Sequence, residues 1–188
     1  MVDFAQVSLS TSRLVLRQFR VEDAAGVFAM FTDAAYMEYV AFPHFKSMEE
    51  AHALVARDMK AMAAGERIRL GLERVADGAL IGNCTLFNLD ADCRSAELGY
   101  GLLGHACGKG YMHEALSALL AFGFETLHLN RVQAEINPKN VNSARSLQRM
   151  GFVQEGVLRE NCMEHGVLHD SAFYGLLRRE WKGDASHR

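Results

Sequence analysis

Proline is scarce, with two in 188 residues, and no segment combines the polar, Pro-rich and charged character of a disordered chain. Apolar residues make up 49% and charged residues 23%, the balance of a chain that buries a core. Charge of one sign is also lacking. A net charge of −3 gives no global pull toward nucleic acid or anionic lipid, so neither is an expected partner. No apolar run approaches the roughly 18 residues that a membrane span needs. The opening MVDFAQVSLSTSRL has no basic start followed by an apolar stretch, as a secretory leader would, and a cytoplasmic location is expected. Paired cysteines are missing as well. Cys84, Cys93, Cys107 and Cys162 form no CxxC and no Cys/His pair at zinc spacing, which predicts free thiols in a reducing compartment. His165 and His169 are four apart, a spacing that suits a metal only on a helix, and the intervening EHGV reads as a turn. No metal is expected.

The length fits one domain, residues 1–188. RLVLRQF, residues 13–19, alternates apolar and polar positions like a half-buried strand, and residues 21–31 read as a first helix. SMEE, from Ser47, predicts a capping box in which the Ser47 hydroxyl and the Glu50 carboxylate satisfy amides at a helix start. That helix runs to Gly65. Strand-like runs at 66–75 and 79–89 flank Asp77-Gly78, a dipeptide favouring a two-residue hairpin turn, and a third follows at 95–103. A helix over 110–127 carries Ala115, Leu116, Leu119, Leu120, Phe124 and Leu127 on one stripe. A strand at 131–136, a helix at 140–150 stopped by Gly151, and strands at 153–163 and 168–177 about a His165-Gly166 turn complete the chain. This order predicts an α/β (α+β) fold with a mixed sheet of about seven strands covered by helices, rather than a doubly wound parallel one.

LGYGLLGHACGKGYMHEAL, residues 98–116, has five glycines in its first thirteen positions. Gly99, Gly101 and Gly104 spell GxGxxG, but the first two lie within a strand instead of following one, which argues against a dinucleotide fingerprint. A P-loop needs four residues between its glycines and a hydroxyl residue after its lysine; Gly104 and Gly108 are separated by three, and Lys109 precedes Gly110. The third reading is a helix entrance. Amides of the loop Cys107, Gly108, Lys109, Gly110 and Tyr111 converge on a diphosphate at the positive end of the helix dipole, and Lys109 adds a charge. A glycine-rich turn that only caps a helix competes with this reading when the stretch is taken alone.

That loop resembles the acetyl-CoA pyrophosphate loop of the GNAT N-acetyltransferases, Q/R-x-x-G-x-G/A, read here from Cys107 to Met112. LSTSRLVLR (9–17), AELGY (96–100), NPKNVNSARSLQRMGF (137–152) and HDSAFYGLL (169–177) are similar, in order, to segments of its RimJ/RimL-like branch. The resemblance implies a mostly antiparallel GNAT sheet splayed between its fourth and fifth strands. Acetyl-CoA would be the co-substrate, its pantetheine arm lying in that gap against backbone groups around Gly101 and Leu102. Two positions depart from the pattern. Cys107 replaces an aromatic residue, Gln or Arg, and Met112 replaces a small residue, where its bulk would tighten the approach to the phosphates.

Amide formation from a thioester needs a deprotonated amine, a stabilised oxyanion and a group to receive the departing thiolate. Alternation places Glu97 on the strand face of Gly99 and Gly101. It is the candidate base, with burial expected to raise it from about 4.3 toward neutrality; binding the acceptor's charge without proton transfer is the alternative. Asn140 reads as an N-cap. The resemblance adds that Asn137 and Asn140 contact the cofactor and that Ser143 lies near its sulfur, where it protonates or hydrogen-bonds the thiolate. Asn142 is placed toward the acceptor by the same reasoning, and Asp170 either binds an amine or holds the last hairpin. Direct transfer needs no acyl-enzyme, so Cys107 is not expected to act as a nucleophile.

The expected activity is acetyl-CoA-dependent N-acetylation of a primary amine, either a protein N-terminus or a small amine such as a polyamine, amino-acid derivative or aminoglycoside. A non-catalytic acyl-CoA-sensing module and a nucleotide-dependent enzyme are the competing classes. The resemblance also makes a homodimer an expectation.

Overall fold

A computed structural model describes residues 2–164 and 166–183; His165, of the histidine pair and the last turn, lies outside the described residues. The strands are β1 (Ser8–Ser10), β2 (Leu14–Gln18), β3 (Ile68–Arg74), β4 (Leu80–Asp90), β5 (Ser95–Leu102), β6 (Arg131–Ile136), β7 (Val153–Glu164) and β8 (Val167–Leu177). The helices are α1 (Ala24–Thr32), α2 (Ala34–Met37), α3 (Met48–Ala63), α4 (Tyr111–Ala121) and α5 (Val141–Arg149). The sheet has the order β1-β2-β3-β4-β5-β6-β8-β7, antiparallel throughout except for the parallel pair β5–β6. Among the described residues it has eight strands, not seven, because residues 8–10 pair with β2 ahead of the first expected strand.

Apolar alternation fills both faces. On one, Leu14, Leu16, Leu70, Leu86, Leu98 and Val132 pack with α4 residues Leu116, Leu119 and Leu120. On the other, α1 and α3 enclose an aromatic core in which Phe31 and Phe45 stack with centroids 4.4 Å apart. α3 is held down by a buried ion pair: Asp58, 1% exposed, accepts from Arg69 Nη1 at 2.9 Å.

Several expected boundaries move for local reasons. Residues 21–23 form a 3₁₀ turn and α1 starts only at Ala24. Ser47 is the N-cap of α3, yet its hydroxyl bonds no amide, while Glu50 accepts from the Lys46 amide at 2.6 Å; the capping box is not formed. The β3–β4 turn is wider than two residues, since Gly78 donates back to the Arg74 carbonyl (2.8 Å) and Asp77 accepts from both Arg74 Nε and the Ala79 amide. α4 gives way at Phe122 to a wide turn, Phe122–Thr126, closed by the Leu127 amide on the Phe122 carbonyl. Gly151 does end α5, at φ +93°.

Candidate active site

The site begins where a ladder ends. β5 and β6 pair at Ser95–Arg131, Ala96–Val132 and Glu97–Gln133, and no further, although β5 continues to Leu102 and β6 to Ile136. The Leu103 amide donates to the Ile81 carbonyl (2.9 Å), so odd-numbered residues of β5 direct their peptide groups to β4 and even-numbered ones to β6. The Arg94 carbonyl, bonded by the Asn130 and Arg131 amides, keeps the same phase. The Leu98 amide closes the ladder on the Gln133 carbonyl, so the Leu98 carbonyl and the peptide groups of Tyr100 and Leu102 face the splayed gap. Of the two residues expected to line it with backbone, Leu102 does so, while Gly101 turns its amide and carbonyl to β4. Gly101 contributes space instead: a Cβ there would lie 2.6 Å from Tyr36 Cε2.

At the far side of the gap, Asn140 caps α5 by accepting from the Ser143 amide at 3.0 Å. Asn137, buried at the end of β6, accepts from the Lys139 amide (3.0 Å) and shapes the turn that delivers α5. Ser143 Oγ lies 2.8 Å from Tyr100 Oη. Burial pushes the Tyr100 hydroxyl up to about 12, so it stays protonated.

The glycine loop leads into α4. Gly108 (φ +74°) and Gly110 (φ +79°) occupy the left-handed region, and Gly110, as N-cap, has no side chain to bond the first amides of the helix. The amides of Tyr111, Met112 and His113 therefore remain available to an anion at the positive helix end. Lys109 is exposed beside them. Met112 packs into the core beneath α4, so its bulk does not narrow the loop. Cys107 Sγ turns to the Leu103 carbonyl at 3.6 Å; burial, with the Asp33 charge, pushes this thiol up, which makes it a poor nucleophile.

Arg13 ties the loop to β2. Its Nη1 donates to the Lys109 carbonyl (2.9 Å), its guanidinium stacks on Tyr111 at 4.6 Å from the ring centroid, and its Nε meets Glu114 Oε2 at 2.6 Å. Glu114 also accepts from Thr11, Ser12 and the Arg13 amide. Burial raises Glu114, but the bonds from Thr11 and Arg13 outweigh it and hold the carboxyl below the ordinary range. With the folded value depressed, its stabilisation is present above the unfolded value near 4.3 and fades as pH falls through the folded one. Glu114→Gln is expected to cost about 1–2 kcal/mol at pH 7. The difference from wild type, followed by urea unfolding, should shrink below about pH 4.

On the opposite face of the sheet, Glu97 is half-buried rather than enclosed, and Asn88 Nδ2 donates to its Oε2 at 3.1 Å. Asn88 reaches it because the β4–β5 register breaks between Phe87 and Asp90 and Asn88 adopts φ +49°. Glu97 and Gln133 are register partners, so β6 presents Gln133 and Glu135 on the same face as Glu97. Glu135, absent from the sequence-based candidates, accepts from Ser171 Oγ and from Asn161 Nδ2 (3.1 Å). The apolar alternation of Val132, Ala134 and Ile136 was the available signal for its orientation. Asn161 also lines a cleft of about 790 Å³ with Val157, Leu158, Arg159, Glu160 and Asp170. Asp170 accepts from the Glu160 amide (2.9 Å), a bond within the last hairpin, and lines the same cleft. Asn142 is exposed on α5. Tyr36, Tyr100 and Arg13 were also missed, since each acts through a partner remote in sequence.

Among the described residues, no helix is long and apolar enough to cross a membrane. The Acetyltransferase (GNAT) domain family profile matches residues 13–153. The uncharacterized N-acetyltransferase p20 of Bacillus licheniformis is 31% identical over 176 residues, covering 94% of this chain and 99% of p20. The [ribosomal protein uS5]-alanine N-acetyltransferase of Escherichia coli (strain K12) is 33% identical over 84 residues, 45% of this chain and 43% of that one. The fold matches that of Mycobacterium smegmatis RimJ in complex with CoA-disulfide, with a TM-score of 0.85 and 22% identity over 100% of this chain and 95% of that one.

Proposed function

The chain belongs to the GNAT acetyltransferase family, whose acetyl donor is acetyl-CoA, and from that premise we propose that it acetylates a protein N-terminal α-amine by direct attack. One observation carries the reading: the β5–β6 ladder stops at Glu97–Gln133, leaving unpaired peptide groups in a gap whose first flanking side chain is a carboxylate. The gap fits a pantetheine arm laid as an extra strand, and the uncapped α4 entrance fits its diphosphate. Bound acetyl-CoA supplies an activated acyl group with a thiolate leaving group.

Cys107, Gly108, Lys109, Gly110, Tyr111 and Met112 hold the diphosphate, mainly through amides. Leu102, opposite Asn137 and Asn140, aligns the arm, and its amide polarises the acyl oxygen. Glu97 and Glu135 attract the acceptor ammonium, and Glu97 takes its proton directly or through water. Ser143 donates a hydrogen bond to the departing sulfur. The name of the E. coli relative, an enzyme acting on a ribosomal-protein alanine, supports a protein acceptor over a small amine.

Thiol release from acetyl-CoA, measured against peptides with free α-amines, polyamines and aminoglycosides, tests the reading. Release with peptides is the expected result. Release only with small amines overturns the acceptor, and binding of acetyl-CoA without release under any amine leaves an acyl-CoA-sensing module. Gly110→Val places a β-branched residue at φ +79°. Strain of about 1–2 kcal/mol is expected to raise the acetyl-CoA Kd roughly tenfold by calorimetry.

A further inference from the structure

Ser143 is held from two directions. Asn140 Oδ1 fixes its amide, and Tyr100 Oη, projecting from β5 across the gap, lies 2.8 Å from its Oγ and 3.3 Å from its carbonyl oxygen. Tyr100 and Ser143 sit on different elements, 43 residues apart, and meet only because β6 leaves β5 after Gln133.

We propose that Tyr100 is a positioning residue for the transfer reaction: it donates to Ser143 Oγ and thereby directs the single Ser143 proton into the gap, toward the sulfur that leaves the acyl group. The inference rests on the role given to Ser143 above. One hydroxyl has one proton. If Tyr100 donates, the Ser143 proton is not spent on Tyr100 and is left for an acceptor in the gap.

The pair stabilises the sulfur without giving up a proton. A thiol of ordinary value, about 8.5, forms a thiolate too weakly basic to deprotonate a phenol held at about 12. The acceptor ammonium loses two protons: Glu97 takes the first before attack, and the second, lost from nitrogen as the C–N bond forms and the C–S bond breaks, neutralises the sulfur. Tyr100 and Ser143 remain hydroxyls throughout, and the electron pair of the C–S bond departs on sulfur into a hydrogen bond that is already aimed.

Tyr100→Phe keeps the ring in the β5 packing and removes only the hydroxyl. It is expected to lower kcat about tenfold, the worth of one well-placed hydrogen bond, with the acetyl-CoA Kd by calorimetry changed less than twofold. Ser143→Ala should lower kcat at least as much. The double variant should be no slower than Ser143→Ala alone, because Tyr100 acts only through that hydroxyl. Wild-type kcat in Tyr100→Phe overturns the inference while leaving the Ser143 role standing. A double variant slowed by the product of the two single effects also overturns it, since a purely structural contribution of Tyr100 would persist without Ser143. Wild-type turnover in Ser143→Ala removes the Ser143 role itself, and the inference with it.

Discussion

Glu97→Gln is expected to lower kcat/KM for the amine by two to three orders of magnitude, the usual worth of a positioned general base, while acetyl-CoA binds as in wild type. Glutamine preserves the size of the side chain and an oxygen for the Asn88 amide, but it neither accepts a proton nor attracts an ammonium. The two roles separate in the kinetics. Loss of a base appears in kcat and removes the acidic limb of the pH profile; loss of charge attraction alone appears in KM. Glu135→Gln provides the comparison. Glu135 is already engaged by Ser171 and Asn161, so its charge serves the acceptor at longer range, and the effect should fall mostly on KM. If Glu97→Gln keeps wild-type turnover from acid to alkaline pH, proton transfer by Glu97 is eliminated. A loss confined to KM reduces Glu97 to a binding group.

Legibility from sequence followed the range of the interactions. Alternation in residues 13–19 and 131–136, helical spacing before Gly65 and the Gly151 stop are local patterns, and each yielded its element within a few residues. Ser47 fails as a side-chain cap although the S-x-x-E spacing is present, because its hydroxyl meets no helix amide and Glu50 turns to the Lys46 amide instead. The splay came from resemblance alone, since no residue type marks where β6 parts from β5. Met112 shows the limit of reading a motif position by position: the loop pattern draws it toward the phosphates, whereas the turn of α4 sends it into the core. For Tyr100 and Glu135 alternation gives the face but not the role. Each acquires its chemical meaning from a partner, Ser143 or Ser171, on another element.

Asp58→Ala is expected to destabilise the fold by about 3–5 kcal/mol, the cost of removing one partner from a buried ion pair. Asp58 is 1% exposed, and two arginines converge on it: Arg69 Nη1 bonds Oδ2 at 2.9 Å, while Arg67 Nη1 stands 3.7 Å from Oδ1, which has no hydrogen-bond partner. The variant leaves both half-buried guanidiniums without their carboxylate, and Arg69 is the group that also binds Thr85 of β4. Because their side chains retain 27% and 22% exposure, water offsets part of the penalty, which favours the lower end of the range. Urea unfolding measures the loss directly. For a chain of this size a loss of about 3 kcal/mol corresponds to a fall in Tm of roughly 6–12 °C. A companion variant, Asp58→Leu with Arg69→Met, separates charge from packing: it removes the pair as a unit and should lose less than Asp58→Ala despite carrying two substitutions. Near-equal stability of Asp58→Ala and wild type would mean that the ion pair does not secure α3. α1 and α2 pack in the same layer, and α2 carries Tyr36 over Gly101. A loosened α3 is therefore also expected to raise the amine KM before it affects acetyl-CoA binding, since Lys109, in the loop proposed for the diphosphate, is held by Arg13 beside β2.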